Sequence, residues 1–242
     1  MLNKRSKKIR LEIIKLSKAN GGYHYGGSFS CAEILINLYD KILKKNDKFI
    51  LSKGHGCWGY YVLLKEKGLD PTLEGHPHYD PKNGVHWTTG SEGHGFPAAA
   101  GIAYSKKLLN RNEKVYVLLG DGELQEGTTW ETLLICNRLK LSNLVVIVDN
   151  NGIQGSGFVK DILDVSCIDK VAKAIGWKVL KINGHKNNEI LQALRIKSEK
   201  PLLIIAKTVK GKGVSFMENE PAWHAKFPNK EYEDKAIKEL KK

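Results

Sequence analysis

Two short apolar runs rich in β-branched residues stand out in the hydrophobic pattern. They cover Val115–Leu119 and Leu144–Val148, and each ends abruptly in small or oxygen-bearing residues. Such runs are typical of buried strands. The segment between them, about residues 123 to 140, has the length of a crossover helix, so the strands are predicted to be parallel. If they are neighbours, Asp121 and Asn151 emerge at the edge of the sheet where open α/β sheets bind ligands.

The rest of the pattern alternates between helix-like and strand-like segments. Ser30, with Glu33 three residues later, has the form of a capping box and predicts that a helix begins at Ser30. We expect a single doubly wound α/β domain over residues 1–242, with a mostly parallel sheet and helices on both faces. The predicted helices cover residues 3–19, 30–38, 57–67, 97–103, 168–175, 188–196 and the charged C-terminal tail; further strands are predicted at 48–52, 177–182 and 201–208.

Residues 68–95 form a long stretch without regular pattern, rich in glycine, proline and histidine. A loop of this length inside a compact domain is usually functional or disordered. Its four histidines and its aromatic residues argue against disorder, so we interpret it as a functional loop.

Composition limits the class of protein. With 41% hydrophobic residues among 242 and no apolar run of about 18–20 residues, the chain is predicted to be soluble, without a membrane anchor and cytoplasmic. The net charge of +13 could indicate nucleic acid, an acidic partner or phosphorylated ligands. No nucleic-acid module is present, so we expect a solvated lysine-rich surface and no nucleic-acid partner. The cysteines form no CxxC pair and are interpreted as reduced structural thiols: Cys31, Cys57, Cys136 and Cys167.

The two strand ends supply ligands for a hard cation. Asp121 offers a carboxylate, Asn151 a side-chain carbonyl and Ile153 a backbone carbonyl. Mg²⁺ prefers six oxygens and usually keeps phosphate and water among them. The backbone amides of Gly122 and Glu123, at the start of a predicted helix, would add an anion site for the same phosphates. Either strand end alone would be an ordinary turn.

The paired signature has a known counterpart. Gly120-Asp-Gly, followed some thirty residues later by Asn150-Asn151, resembles the signature of thiamine diphosphate (TPP) enzymes. Further motifs resemble transketolases, in order from about residue 5 to residue 230: Asn20-Gly-Gly-Tyr-His-Tyr-Gly-Gly-Ser28, Ser52-Lys-Gly-His-Gly56, Gly75-His-Pro77, Thr88-Thr-Gly-Ser-Glu-Gly-His-Gly95, Gly120-Asp-Gly-Glu-Leu-Gln-Glu-Gly127 and Lys210-Gly-Lys-Gly213. The resemblance covers only the N-terminal, diphosphate-binding portion of a full-length transketolase, so the chain looks like the N-terminal subunit of a split enzyme.

The resemblance implies contacts with the cofactor. His55 and His224 would contact the diphosphate. Gly90, Ser91 and Glu92 would lie against the cofactor, Gly90 and Glu92 through their backbones. The cofactor would be TPP with Mg²⁺ or another divalent cation such as Ca²⁺ or Mn²⁺.

It also implies residues on the substrate side. His24 and His76 would face the substrate channel, and Glu126 and Glu131 would belong to a carboxylate network that crosses the active-site dimer. Four histidines remain unassigned, with His94 the best candidate to lie near the site: His78, His86, His94 and His185.

Three residues depart from the family pattern. Tyr23 is an extra aromatic residue beside His24, and Glu92 stands where transketolases typically have leucine. A carboxylate at that position, together with the bulky Trp87, could change which sugar fits. We therefore do not assume ordinary pentose-phosphate substrates.

As implied by the family, the reaction transfers a two-carbon glycolaldehyde unit from a ketose (a phosphate or an activated sugar) to an aldose. The glutamate that activates TPP belongs to the pyrimidine-binding domain, which this chain lacks. A separate C-terminal subunit would have to supply it, in an α2β2 assembly, and the chain alone would be inactive.

Two other interpretations remain open. The chain could be the diphosphate-binding subunit of another TPP enzyme, such as a 2-oxo acid dehydrogenase E1 α subunit or a deoxyxylulose-phosphate synthase relative. It could also be a non-catalytic module that has kept the fold. Lys53-Gly-His-Gly56 and Gly75-His-Pro77 favour transketolase.

Overall fold

A five-stranded parallel sheet forms the centre of the computed structural model, which describes residues 2–22, 24–226 and 228–242. Its strands are β1 (Lys48–Leu51), β2 (Val115–Gly120), β3 (Leu144–Asn150), β6 (Lys178–Asn183) and β7 (Leu202–Lys207), and a separate hairpin is formed by β4 (Ile153–Gln154) and β5 (Gly157–Phe158). The order in the sheet is β1-β2-β3-β7-β6. β2 and β3 are direct parallel neighbours, with Gly120 level with Asp149. The predicted pairing is confirmed, and Asp121 and Asn151 follow at one edge.

Helices cover both faces of the sheet, as predicted for a doubly wound fold. They are α1 (Lys4–Ala19), α2 (Tyr25–Ser30), α3 (Ala32–Asn37), α4 (Cys57–Glu66), α5 (Gly95–Leu108), α6 (Gly127–Arg138), α7 (Val159–Ile162), α8 (Ile168–Ala174), α9 (Asn187–Arg195) and α10 (Lys230–Lys241). Alternate residues of β2 enter different cores: Leu118 packs with α1, α3, α4 and α9, whereas Val117 packs with α5, α6 and α8. The crossover from β6 to β7 runs along the sheet in the opposite direction to the crossovers before it. Because such crossovers are right-handed, its helix α9 lies on the opposite face of the sheet from α6 and α8.

The capping box predicted at Ser30 is wrong. α2 already begins at Tyr25, and Ser30 is its last residue. The Ser30 hydroxyl donates to the Gly27 carbonyl at 3.0 Å and to the Asp149 carboxylate, while the Glu33 carboxylate pairs with Arg10. Buried tertiary partners thus replace the local cap.

Other differences concern the boundaries of elements. The helix predicted over residues 123–140 is divided into a 3₁₀ turn, Gly122–Gln125, and α6, because Glu126 between them is extended with ψ 133°. α5 begins two residues before Pro97 and continues beyond Ala103. Residues 152–160, for which no helix or strand was predicted, contain the β4–β5 hairpin.

The histidine-rich loop is anchored to the sheet. The Thr89 hydroxyl donates to the Leu51 carbonyl at 2.8 Å, and the Thr89 amide donates to the Pro77 carbonyl at 3.0 Å. These bonds hold the loop against the carboxyl end of β1. No helix in the described part of the chain is both long and apolar enough to cross a bilayer.

Candidate active site

A cavity of about 280 Å³ lies at the carboxyl edge of β2 and β3. It brings together most residues predicted for the site, although they come from separate stretches of sequence. The predicted residues that line it are His24, His55, His76, Gly90, Glu92, Asp121, Gly122, Asn151, Ile153 and His224.

The predicted cation ligands form one corner of this cavity. Asp121 is 5% exposed; its Oδ1 accepts from the Gly122 amide at 3.0 Å and its Oδ2 from the Gly152 amide. Asn151 Oδ1 accepts from the Ile153 amide at 3.1 Å. Burial raises the pKa of Asp121 to about 6, and the bond from Gly152 opposes part of that rise. The carboxylate is therefore ionised at neutral pH and keeps lone pairs for a cation.

Lys210 places a positive charge in the same corner. Its Nζ donates to the Ile153 carbonyl at 3.0 Å and lies 2.7 Å from His224 Nδ1. Lys210 is 2% exposed, and among the described residues no carboxylate pairs with it. Burial, followed by repulsion from Lys53, lowers its pKa to about 8. The carboxylates of Asp149, Asp121 and Glu92 act on this ammonium without a direct ion pair, so it can still pair directly with an anionic ligand.

A fully buried ion pair supports the floor of the cavity. Lys53 Nζ pairs with the Asp149 carboxylate and donates to the Gly27 carbonyl at 2.9 Å. Burial alone would raise the pKa of Asp149, but the Lys53 ammonium holds it below its usual range. Asn151 Nδ2 lies 3.3 Å from Asp149, which assigns the amide orientation and directs Asn151 Oδ1 away from the pair.

Three histidine rings lie together in the cavity. The ring centroids of His24, His55 and His224 lie 5.2–5.5 Å from one another. His24 has a left-handed backbone, φ 65°, and its Nδ1 is 2.9 Å from the His224 carbonyl oxygen. Burial lowers the pKa of His24 to about 4 and, with Lys210 nearby, that of His224 to about 2. Burial also holds the pKa of His55 well below its usual value. All three rings are neutral at pH 7, so they can both donate and accept hydrogen bonds.

Glycines keep the cavity walls close together. A Cβ on Gly122 would lie 2.9 Å from Gln154 Cβ, and one on Gly54 would lie 2.9 Å from the Gly90 nitrogen. Gln154 also lines the cavity, and its Oε1 is buried without a hydrogen-bond partner among the described residues. A buried amide oxygen without a donor is typical of a site that receives a ligand.

These residues fit Mg²⁺ and a diphosphate. In the part of the chain that the structure describes, no three His, Cys, Asp or Glu side chains converge on a metal position. A cation bound here would rely on Asp121, the neutral oxygens of Asn151 and Ile153, and oxygens of its ligand, which is the preference of Mg²⁺ for mixed protein and phosphate oxygens. Lys210 would neutralise charge on the same ligand.

Three predicted cofactor contacts differ in position or bonding from the prediction. Ser91 is exposed and does not line the cavity. The Glu123 carboxylate is buried. It accepts hydrogen bonds from the Ser52 hydroxyl and from the amides of Gly93 (3.0 Å) and Gly120 (3.2 Å). Burial raises its pKa to about 7. The Gly122 amide, predicted to bind phosphate, donates to Asp121 in this structure.

The predicted carboxylates Glu126 and Glu131 lie outside the cavity. Both are exposed, Glu126 at the start of α6 and Glu131 on that helix. The structure describes one chain, so their role across a dimer stays a prediction. Trp87 and His94 are also exposed and do not line the cavity, and the influence of Trp87 on which sugar fits stays a prediction. Tyr23 lies outside the described residues.

The sequence prediction missed Lys53, Asp149, Lys210 and Gln154 as site residues. Two of them had a signal, because Lys53 and Lys210 belong to the motifs Ser52-Lys-Gly-His-Gly56 and Lys210-Gly-Lys-Gly213. Asp149 lies at the end of the apolar run of β3, where Asn151 carried the stronger signal. For Gln154 nothing in the sequence indicated burial.

Comparison with known proteins identifies the family of the chain. Residues 3–241 match the family described as transketolase, thiamine diphosphate binding domain. The chain is 39% identical to one of the subunits of the apulose-4-phosphate transketolase of Actinobacillus succinogenes, covering 99% of this chain and 96% of that protein. It is 33% identical to the 6-deoxy-6-sulfo-D-fructose transketolase subunit SqwG of Clostridium sp. MSTE9, covering 96% and 93%.

The fold also matches solved structures. The crystal structure of transketolase from Campylobacter jejuni superposes with a TM-score of 0.86 at 30% identity, covering 98% of this chain and 42% of that one. The chain thus spans nearly all of the separate transketolase subunits and less than half of the undivided enzyme. It belongs to the transketolase family and corresponds to its N-terminal, thiamine diphosphate-binding domain.

Proposed function

We propose that this chain is the cofactor-binding subunit of a two-subunit transketolase that transfers a two-carbon glycolaldehyde unit from a ketose to an aldose. The observation that carries the proposal is the cavity itself. It places an oxygen-rich cation corner and three neutral imidazoles around one space, with the buried Lys210 ammonium bonded to two of the lining residues, Ile153 and His224. Its relatives of matching length are named as transketolase subunits.

The cofactor residues have distinct roles in this proposal. Asp121, Asn151 and Ile153 hold Mg²⁺, or Ca²⁺ or Mn²⁺ in its place. Lys210, with the neutral rings of His55 and His224, binds diphosphate oxygens. TPP, when bound, supplies the nucleophilic carbon that carries the transferred unit.

His24 and His76 handle protons on the sugar. Both line the cavity, and burial lowers the pKa of each below its ordinary value. A neutral imidazole can accept a proton from a sugar hydroxyl or donate a hydrogen bond to it. His76 packs against Gly90: a Cβ there would lie 3.3 Å from the His76 ring.

The face that carries Glu126 and Glu131 is proposed to bind the partner subunit. Leu134 and Ile135 of α6 are 57% and 54% exposed, and Leu108 at the end of the adjacent α5 is 63% exposed. Apolar side chains of this size around a carboxylate indicate a surface that is covered in the assembly. A pyrimidine-domain subunit in an α2β2 heterotetramer, in the cytoplasm, would cover it.

For the substrate we infer a ketose outside the common pentose phosphates. The relatives are named for different sugars, one an apulose phosphate and one a sulfonated fructose. In this chain the Glu92 carboxylate reaches into the cavity, with Oε1 3.3 Å from His55 Nδ1. A negative charge there disfavours a substrate that brings an anionic group close to Glu92.

The test combines binding and activity. We expect the purified chain with its partner subunit to bind TPP only when Mg²⁺ is present, by calorimetry, and to transfer two-carbon units from ketoses. Neither of the two proteins should turn over by itself. Turnover by this chain alone would refute the two-subunit proposal, whereas activity on 2-oxo acids would indicate a different TPP enzyme. Absence of Mg²⁺-dependent TPP binding by the complex would favour a non-catalytic module.

The partner surface has its own test. Leu134→Asp should abolish co-elution of the two subunits in size-exclusion chromatography, since it places a charge in the proposed interface. Leu163→Asp, an exposed leucine of similar accessibility (54%) on a different segment, is the matched control. If Leu134→Asp assembles normally, α6 is not the interface.

A further inference from the structure

A buried polar network lies behind the cavity and does not line it. Arg10 and Glu33, 0% and 2% exposed, form a two-pronged ion pair, with Nη1–Oε1 at 2.6 Å and Nη2–Oε2 at 3.0 Å. His185, at the exit of β6, joins it: its Nδ1 lies 2.8 Å from Glu33 Oε2. A pair so well buried is seldom kept for stability alone.

The other side of His185 faces the backbone of the segment that follows β7. The Val209 amide donates to His185 Nε2 at 2.9 Å. Nε2 can accept only if it carries no hydrogen, so the ring hydrogen is on Nδ1 and is donated to Glu33. The carboxylate of Glu33 thus fixes the tautomer, and Arg10 fixes Glu33.

The segment that receives these bonds is Val209–Lys212, which holds the Lys210 ammonium against two residues that line the cavity, Ile153 and His224. Arg10 Nε donates to the Lys212 carbonyl at 2.7 Å, and the Gly211 amide donates to the Gly26 carbonyl at 3.1 Å. The backbone is therefore held on both sides of Lys210, whose Nζ contacts the Ile153 carbonyl and His224.

We propose that His185 is a positioning residue for the cofactor site: held by Glu33 and Arg10 as the Nδ1–H tautomer, it fixes Val209 and thereby places the Lys210 ammonium against the diphosphate. The inference rests on the proposed function, in which Lys210 binds the diphosphate. It assigns a role to a histidine outside the cavity and 25 residues away from Lys210 in sequence. Groups of this kind, one step behind the binding residue, determine its orientation.

Two substitutions separate the two bonds of His185. His185→Gln places an acceptor oxygen near the position of Nε2 and can keep the hydrogen bond from the Val209 amide. His185→Asn places a donor near the position of Nδ1, so it keeps the hydrogen bond to Glu33 and loses the one from Val209. In the complex with the partner subunit, His185→Asn should weaken Mg²⁺–TPP binding by about 10- to 100-fold. The KM for the sugar should not change, and His185→Gln should stay within about threefold of the wild type.

A matched control comes from His86, which is half-buried and also has two partners, Lys48 and the Phe49 carbonyl, but lies away from the cavity. His86→Asn should leave TPP affinity unchanged. If His185→Asn and His185→Gln lose affinity equally, or lose it only together with thermal stability, the role is structural and the inference fails.

A double-variant cycle tests whether His185 acts through Lys210. If it does, adding His185→Asn to Lys210→Met should cause no further loss of TPP affinity, whereas independent effects would multiply and overturn the inference. A wild-type complex that does not bind TPP would overturn the proposed function together with this inference. A wild-type complex that binds TPP, with His185→Asn binding equally well, would overturn the inference alone.

Discussion

The buried carboxyl of Asp121 should destabilise the chain in the absence of a cation, and Asp121→Asn should reverse this. Burial raises the pKa of Asp121 from 3.8 to about 6. The native state therefore binds its proton more tightly than the unfolded chain. The stabilisation from this proton is fully present below pH 3.8 and is lost as the pH rises through about 6.

The size of the effect follows from the two pKa values. A rise from 3.8 to about 6 corresponds to about 3 kcal/mol at 1.36 kcal/mol per pH unit. Asparagine resembles the protonated carboxyl and does not titrate. Without ligands at pH 8, the free energy of unfolding of the Asp121→Asn variant should be about 3 kcal/mol higher than that of the wild type. This corresponds to a Tm roughly 6–12 °C higher. At pH 4.5 the advantage should shrink to about 1 kcal/mol.

The same substitution should abolish the response to ligands. At a hundredfold excess of Mg²⁺–TPP over Kd, the wild type should gain about 2.7 kcal/mol. The variant, without the carboxylate that holds the cation, should gain nothing. The difference in free energy of unfolding between the variant and the wild type should therefore nearly disappear when the ligands are added.

The assay is thermal and urea denaturation at pH 4.5 and pH 8, with and without Mg²⁺–TPP. Asp70→Asn is the control, because its carboxylate is 85% exposed and pairs only with Lys65 among the described residues. An advantage of Asp121→Asn that is equal at both pH values would refute the reasoning, since it would not arise from the carboxyl proton. A less stable variant at pH 8 without ligands would do the same.

Three further predictions concern charges around the cavity. Lys210→Met should weaken Mg²⁺–TPP binding by about 10- to 100-fold in calorimetry, because a charged hydrogen bond contributes about 1.5–3 kcal/mol; unchanged affinity would exclude Lys210 from the diphosphate site. Glu92→Gln should tighten the same binding by a few-fold, since it removes a carboxylate that repels the diphosphate; weaker binding would contradict this. Lys53→Met should lower the free energy of unfolding by about 3–5 kcal/mol in urea, because it leaves Asp149 buried and unpaired. Adding Asp149→Asn should recover part of that loss, and a failure to recover would show that packing dominates.

The strands could be predicted because their signal is local. β2 and β3 are continuous apolar runs, and such runs are typical of strands buried on both faces in a parallel sheet. Neighbouring parallel strands in register have their carboxyl ends at the same edge of the sheet. Asp121 and Asn151 could therefore be placed at one edge from the sequence alone. The motif resemblance then identified further lining residues, including His24 and His55.

The failures have the opposite cause. Ser30 and Glu33 have the spacing of a capping box, but their side chains find better partners at Asp149 and Arg10, more than a hundred residues away in one case and twenty-three in the other. The break at Glu126 is equally invisible, because Gly93 packs directly against it: a Cβ on Gly93 would lie 2.9 Å from Glu126 Cβ. Local pattern carries no information about such long-range contacts.

What the sequence by itself determined was the frame of the site: the parallel strands, the oxygen-bearing residues at their ends, and the motifs that link the chain to transketolases. Hydrophobic periodicity and strand-end chemistry are short-range properties, so they can be read along the chain. Only the tertiary structure decided how the charges are balanced. Among the described residues it paired Lys53 with Asp149, left Lys210 without a direct ion pair beside the cation corner, and placed His185 behind Lys210. Those choices depend on burial and distance between residues far apart in sequence, which composition and spacing do not specify.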